Sequence, residues 1–273
     1  MTRPFPAVLR RALARVASLG REPGAGLRVL TYHRVNDVHP HDRLSVTTRA
    51  FARQMEALAG SGRPVISLAR ALDGLRGAAV LPAGAVALTF DDGFGDNRTE
   101  ALPVLDRFGF SATFFVVTGL LGSPATLERY RRCCEADLML SWDEVGDLHA
   151  RGHAIGGHGR THRELAWLSL DEVRAEAMGC ARDIEEHVGE RPRHFCYPRG
   201  SENAAVRRIV GEAGFDSGCT VRPGPNPPGS EPLALRRTEV SGDDTLEDFR
   251  FKLAGGFDAW HALVQSARGT RHA

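Results

Sequence analysis

Short apolar runs alternate with amphipathic stretches along the whole of this 273-residue chain. Six runs read as strands: Leu27–Tyr32, Ala85–Phe90, Ser111–Val117, His153–Gly156, His194–Tyr197 and Asp216–Val221. Between them apolar side chains recur at helical spacing. Phe51, Met55 and Leu58 form one such set, and Leu102, Leu105 and Phe108 another. Val145 and Leu148, then Val173, Ala177, Ile184 and Val188, then Val206, Ile209 and Val210 continue the alternation. Strands that are apolar throughout, each followed by a helix, predict a parallel α/β sheet. Periodicity alone leaves open whether that sheet stays open or closes into a barrel. No internal repeat or low-complexity linker divides the chain, and the Pro/Gly-rich stretch Arg222–Pro232 reads as a long surface loop because pattern resumes at Leu233. One domain of this length buries a sizeable core.

The first 24 residues stand apart. Phe5, Leu9, Leu13 and Val16 share helical spacing, with Arg10, Arg11 and Arg15 interrupting any continuous apolar core and no acid before Glu22. That makes a poor secretory signal. It leaves two readings, a basic leader packed on the domain or frayed, and a short interfacial helix on an anionic membrane. The domain proper is assigned to residues 25–273. No run approaches the apolar length of a membrane span. A net charge of +1, with the basic residues spread rather than clustered, gives no reason to expect a nucleic-acid partner. Cys133, Cys134, Cys180, Cys196 and Cys219 are odd in number and contain no Cys-x-x-Cys pair, which argues for free thiols in a reducing compartment. The expected location is cytoplasmic, with peripheral contact to the inner face of the membrane as the variant that the leader allows.

Four segments carry candidate chemistry. Leu88-Thr-Phe-Asp91-Asp92-Gly93 runs an apolar strand into two acids, whose side chains diverge so that one can bind a cation while the other faces a water. The same pair could equally cap a helix. Gly156-Gly157-His158-Gly159-Arg160-Thr161-His162 holds two histidines four apart, a spacing that shares one face of a helical turn, with glycines that let backbone approach closely. His33 ends the first strand, where a histidine is more often structural. His194-Phe-Cys196-Tyr197-Pro198-Arg199-Gly200 runs a strand into a turn that can aim N–H groups at an oxyanion or simply reverse the chain. All four fall at carboxyl ends of predicted parallel strands, the face on which α/β barrels build active sites. Two histidines and one carboxylate make a three-ligand set that leaves a position for water, the catalytic rather than the structural zinc pattern.

TFDDG, followed some 65 residues later by H-x-x-x-H and then by a strand ending in YP-x-G, resembles the NodB-homology polysaccharide deacetylases, carbohydrate esterase family four. The resemblance runs from about Leu27 to about Leu253 and includes Ser141-Trp142 and the GDD-x-L-x-x-F stretch at Gly242–Phe249. It implies a distorted (β/α) barrel of about seven parallel strands, a divalent metal, usually Zn2+, and hydrolysis of the acetamide of N-acetylglucosamine-type sugars. By position it makes Asp91 the general base and Asp92, His158 and His162 the metal ligands. Tyr197, Pro198 and Trp142 are then expected at the substrate.

Several positions depart from the family pattern. Gly159 stands where Ser or Thr is usual, Cys196 where an arginine braces the base, and Arg199 where a tyrosine is expected. The Arg199 main-chain N–H can still serve an oxyanion. The C-terminal Leu-x-His, whose histidine is the family's general acid, is absent, since His261 and His272 lack that context. The stretch LTYHRV instead resembles the subgroup that deacetylates β-1,6-linked poly-N-acetylglucosamine, where the acid histidine comes from the first strand. His33 then takes that role. The expected partner is an N-acetylated glycan or a lipid-linked sugar. The rival reading is a catalytically inactive barrel that binds glycan or scaffolds a polysaccharide-assembly complex.

Overall fold

The structure, a computed structural model, describes residues 26–39, 42–123 and 138–258. The basic leader, Cys133, Cys134, His261 and His272 lie outside the described residues. Among the described residues there are nine strands, β1 (Arg28–Tyr32), β2 (Arg34–Val35), β3 (Ser45–Val46), β4 (Val86–Phe90), β5 (Ala112–Val116), β6 (Ala154–Gly157), β7 (His194–Cys196), β8 (Ser217–Cys219) and β9 (Thr238–Glu239). The α-helices are α1 (Thr48–Gly60), α2 (Leu68–Leu75), α3 (Leu102–Phe108), α4 (Trp142–Ala150), α5 (Leu170–Val188), α6 (Ala204–Glu212) and α7 (Leu246–Ala254). All six expected strands form within a residue or two of their expected limits. The short β2, β3 and β9 and the helix α2 are additions. Among the described residues no helix is long and apolar enough to cross a membrane.

Seven strands make one parallel sheet in the order β8-β7-β6-β5-β4-β1-β9. The sheet curls toward closure through a single segment. Leu235 pairs with Cys219 of β8, and three residues later Thr238 pairs with Leu30 of β1. Residues 235–239 therefore span the gap between the two ends, giving the distorted barrel that the family resemblance implies. Arg237 sits in the middle of that span.

Because side chains alternate along a strand, the two faces of the sheet sort cleanly. Leu30, Tyr32, Leu88, Phe90, Phe114 and Val116 face outward into the larger core. There Tyr32, Phe90 and Phe114 stack across neighbouring strands at centroid separations of 5.4 and 4.9 Å. The Tyr32 hydroxyl, buried with them, donates to Gln54 at 3.0 Å rather than remaining unpaired. Val29, Ala87, Phe115, Cys196, Cys219 and Leu235 fill the interior, which Leu68, Ala71 and Leu75 of α2 also enter. The interior set of β1 continues from Val29 through Thr31 to His33, and that of β4 from Ala87 through Thr89 to Asp91. The register pairs Thr31 with Thr89 and Tyr32 with Phe90, so one step further sets His33 beside Asp91. The site is thus a product of strand parity and register.

The helix behind the histidine loop is well delimited. Ser169 and Glu172 form a capping box at the start of α5, and Gly189 ends it in the left-handed conformation.

Candidate active site

At the carboxyl ends of the strands a cleft of about 650 Å³ is lined by His33, Asp91, Asp92, His158, His162 and Arg199, among others. Among the described residues only three non-glycine residues have positive φ: Asp92 at 74°, His162 at 59° and Arg199 at 54°. All three line this cleft. Such backbone costs of order 1–3 kcal/mol per residue and persists where surrounding structure fixes it.

The two acids do diverge. Asp92 turns toward the histidines, with Oδ1 3.3 Å from His158 Nε2 and 3.4 Å from His162 Nε2. Donor atoms of these three residues all lie within 4.8 Å of one another. His158 Nδ1 lies 2.8 Å from the Cys196 carbonyl. A carbonyl only accepts, so Nδ1 carries the proton, and Nε2 of the neutral ring points a lone pair at a carboxylate oxygen. Two acceptors facing each other require a cation between them, a proton or a metal ion. The donor set therefore fits a divalent cation. The electrostatics agree. Burial would lower the His158 pKa, but Cys196 and the Asp92 carboxylate reverse that and raise it well above the usual value. Burial likewise raises Asp92, and hydrogen bonds from His158 and His162 overcome it to hold the carboxyl well below its ordinary range.

Asp91 turns the other way. Arg237 Nη1 and Nη2 donate to its two oxygens, each at 2.7 Å, and Arg237 Nε donates to the Thr220 carbonyl at 2.9 Å. Arg237 Nη2 also lies 3.0 Å from Cys196 Sγ, which contacts Asp91 Oδ2 at 3.4 Å. Both members of the ion pair are buried. Burial pushes Asp91 up, and the Arg237 charge with its two hydrogen bonds more than offsets this, leaving the pKa below the ordinary value. Arg237, paired with Asp91 in the cleft, is the candidate site residue that sequence reasoning missed. With Cys196 in the position of the bracing arginine, the brace looked absent. It comes instead from the segment that closes the barrel. The available signal was the stretch Leu235–Val240, which holds Arg236 and Arg237 just before the two-residue strand Thr238–Glu239.

His33 Nε2 lies 4.0 Å from Asp91 Oδ2, while its Nδ1 is buried without a partner among the described residues. Its carbonyl accepts from Asn97 Nδ2 at 2.8 Å.

Four expectations need correction. The histidine pair is not on a helical turn. Both residues lie in the irregular stretch after β6, and a left-handed His162 brings the rings to a centroid separation of 4.9 Å. The glycines before them serve packing, since a Cβ on Gly156 would lie 2.5 Å from the Phe115 ring and one on Gly157 2.8 Å from Cys180 Sγ. Trp142 is not brought to the cleft. It starts α4 and stacks on His187 at a centroid separation of 4.0 Å. Pro198 is buried and is not among the residues that line the cleft, whereas Tyr197 does line it and donates its hydroxyl to the Leu233 carbonyl at 2.9 Å. Arg199 does line the cleft, and its guanidinium pairs with Glu164 at 3.2 Å. Cys180, Cys196 and Cys219 are buried and free, as expected of unpaired thiols.

A buried acid paired with an arginine, next to a two-histidine, one-carboxylate cluster at the carboxyl ends of a parallel barrel, is an arrangement that could hold a metal ion beside a second carboxylate. The polysaccharide deacetylase family model matches residues 79–218, and the chain belongs to that family, whose members are hydrolases acting on amides. The matched segment contains Asp91, Asp92, His158, His162 and Arg199, while His33 and Arg237 lie outside it. The chain is 22% identical over 258 residues to the poly-β-1,6-N-acetyl-D-glucosamine N-deacetylase of Escherichia coli (strain K12), a match that covers 83% of this chain and 38% of that protein. Among solved structures, IcaB from Ammonifex degensii is 28% identical with a TM-score of 0.72, covering 85% of this chain and 97% of that one. The Streptococcus pyogenes deacetylase PplD in complex with acetate shares the fold at a TM-score of 0.73 and 21% identity, over 85% of this chain and 99% of that one.

Proposed function

We propose that the chain is a metal-dependent N-deacetylase that removes acetyl groups from amino sugars of a polysaccharide or glycolipid, with β-1,6-linked N-acetylglucosamine polymer as the first substrate to try. The observation that carries the reading is the division of labour between adjacent acids, Asp92 turned to two imidazoles and Asp91 to Arg237. Asp92, His158 and His162 are the proposed ligands of a divalent cation, Zn2+ being the candidate their donor chemistry suits. When bound, such an ion supplies a Lewis acid beside the acetamide carbonyl and lowers the pKa of water there.

The residues of the chain then carry the proton transfers. Asp91, ionised and oriented by Arg237, takes a proton from the water whose oxygen attacks the acetyl carbonyl carbon. The Arg199 N–H donates to the oxygen on which negative charge develops, a contribution of several kcal/mol where such donors are preorganised. His33 in its protonated form donates to the sugar nitrogen as the carbon–nitrogen bond breaks, so that an amine rather than an amide anion departs. Acetate and a free amino sugar result. His33 lines the same cleft 4.0 Å from Asp91, which supports its role as acid.

The test is acetate release from β-1,6-linked N-acetylglucosamine oligosaccharides, chitooligosaccharides and lipid-linked N-acetyl sugars, before and after chelation and with Zn2+ restored. The reading expects release that chelation abolishes and metal restores. No release from any of them by metal-loaded, folded protein supports the inactive glycan-binding barrel instead.

A further inference from the structure

Between the two histidines the chain makes a loop with no side chain at Gly159 to brace it and with His162 in a backbone conformation that non-glycine residues seldom adopt. What holds that conformation comes from behind. Glu176, 6% exposed, projects from α5 under the loop. Its Oε2 accepts from the Arg160 N–H at 2.7 Å and the Thr161 N–H at 3.0 Å, and its Oε1 from the Thr161 hydroxyl at 2.5 Å. One carboxylate thus satisfies two consecutive backbone donors and a side chain directly before His162. The fit is close: with Gly159 at φ 74°, a Cβ there would lie 2.9 Å from Glu176 Oε2. The opposite edge of the loop is held too, since Thr118 N–H donates to the Gly159 carbonyl at 3.2 Å and Gly119 N–H to the Arg160 carbonyl at 2.9 Å. Two turns along α5, Asp183 accepts from Thr118 Oγ1 at 2.6 Å and from Arg160 Nε at 2.9 Å, but it reaches only side chains.

We infer that Glu176 is a positioning residue for the cation site, holding the 159–161 backbone so that His162 Nε2 meets Asp92 Oδ1 alongside His158. This rests on the metal site proposed above. Glu176 contacts no ligand atom and acts through the loop. Its separation from the ligands distinguishes it from a residue whose loss merely unfolds the protein: the left-handed His162 is the strained element, and strained backbone relaxes when its over-determination is removed. Val173, Ala177, Ala181 and Ile184 bury the inner face of α5 through contacts that do not involve the Glu176 carboxylate.

The experiment measures Zn2+ affinity of the full chain by competition with a chromophoric chelator, together with thermal unfolding of the metal-free protein. Partners that orient metal ligands typically contribute about 10–100-fold in affinity, and that loss is expected for Glu176→Ala. Glu176→Gln still offers a carbonyl oxygen to both N–H groups and is expected to recover most of it. A folded Glu176→Ala protein with parental affinity overturns the inference. If Glu176→Ala does not fold, Thr161→Val decides, because it deletes only the hydroxyl contact; weakened affinity supports the inference and unchanged affinity overturns it. His158→Ala and His162→Ala run in parallel. Parental affinity in those two means the metal site itself is misassigned, whereas loss in them with parental affinity in Glu176→Ala strikes this inference alone.

Discussion

The two ends of the same parallel strands treat buried histidines in opposite ways. At the amino ends, His153 and His194 border a cavity of about 260 Å³. His153 Nδ1 accepts from the Ala112 N–H at 3.2 Å, and His194 Nδ1 pairs with the Ser217 hydroxyl at 2.9 Å. Burial pushes the His153 pKa down and that of His194 down to about 4. At the carboxyl ends His158 is at least as buried, yet its pKa rises because Cys196 and the Asp92 carboxylate face it. Burial alone neutralises an imidazole; burial opposite a carboxylate builds a place for positive charge. One end of the barrel disfavours charge on its buried histidines, and the other sets them opposite a carboxylate in an arrangement that could hold a metal ion.

The sharpest way to break this contrast is to delete histidines at each end and weigh the metal. His158→Ala and His162→Ala should drop divalent metal from about one per chain to background by elemental analysis, as loss of one of three protein ligands demands. His194→Ala should leave it unchanged. Parental metal content in both ligand variants would refute the site. His33 tests the proton donor at the same end: His33→Ala should keep metal and melting temperature and lose acetate release by about 10²–10⁴-fold. Lower thermal stability with near-normal turnover would make it a structural residue of the first strand.

Arg237→Met probes the brace. It leaves Asp91 as a buried carboxylate without its partner, and breaking such a pair costs about 3–5 kcal/mol, readable by urea unfolding of the metal-free protein. A change below about 1 kcal/mol, the range of an exposed pair, would mean the pair is solvated rather than buried. The amino end supplies the smallest effect. The folded pKa of His194 lies near 4, below that of an unfolded histidine near 6.5, so the unfolded state binds more protons between those values. Its contribution to stability is complete above about pH 6.5 and lost as pH falls toward about 4, on the order of 3 kcal/mol. His194→Asn should flatten that decline relative to the parent; an equal decline in both would mean that His194 does not titrate there.

The strands and the principal site were legible because each depends on local pattern. Near-continuous apolar runs marked β1 and β4 to β8, and the acids and histidines stood where those runs ended. Elements that depend on distant geometry were not legible. β9 is two residues long and exists because it pairs with β1, so Arg237 could not be tied to Asp91 from spacing alone. The i, i+4 spacing of His158 and His162 suggested a helix, but Gly159 and the left-handed His162 give the pair a loop, held by a glutamate from another element. Ser141-Trp142 matched the family as a stretch, yet a capping box at Ser141 and Glu144 turns that tryptophan along α4 onto His187, away from the cleft.

The division of roles between Asp91 and Asp92 is the claim from which the mechanism follows, and one variant tests it. Asp91→Asn removes the base and spares the proposed ligand, so metal content and acetate release are measured on the same preparation. The account predicts about one metal per chain with turnover reduced by about 10²–10⁴-fold. Loss of the metal, or turnover near that of the parent, would contradict it.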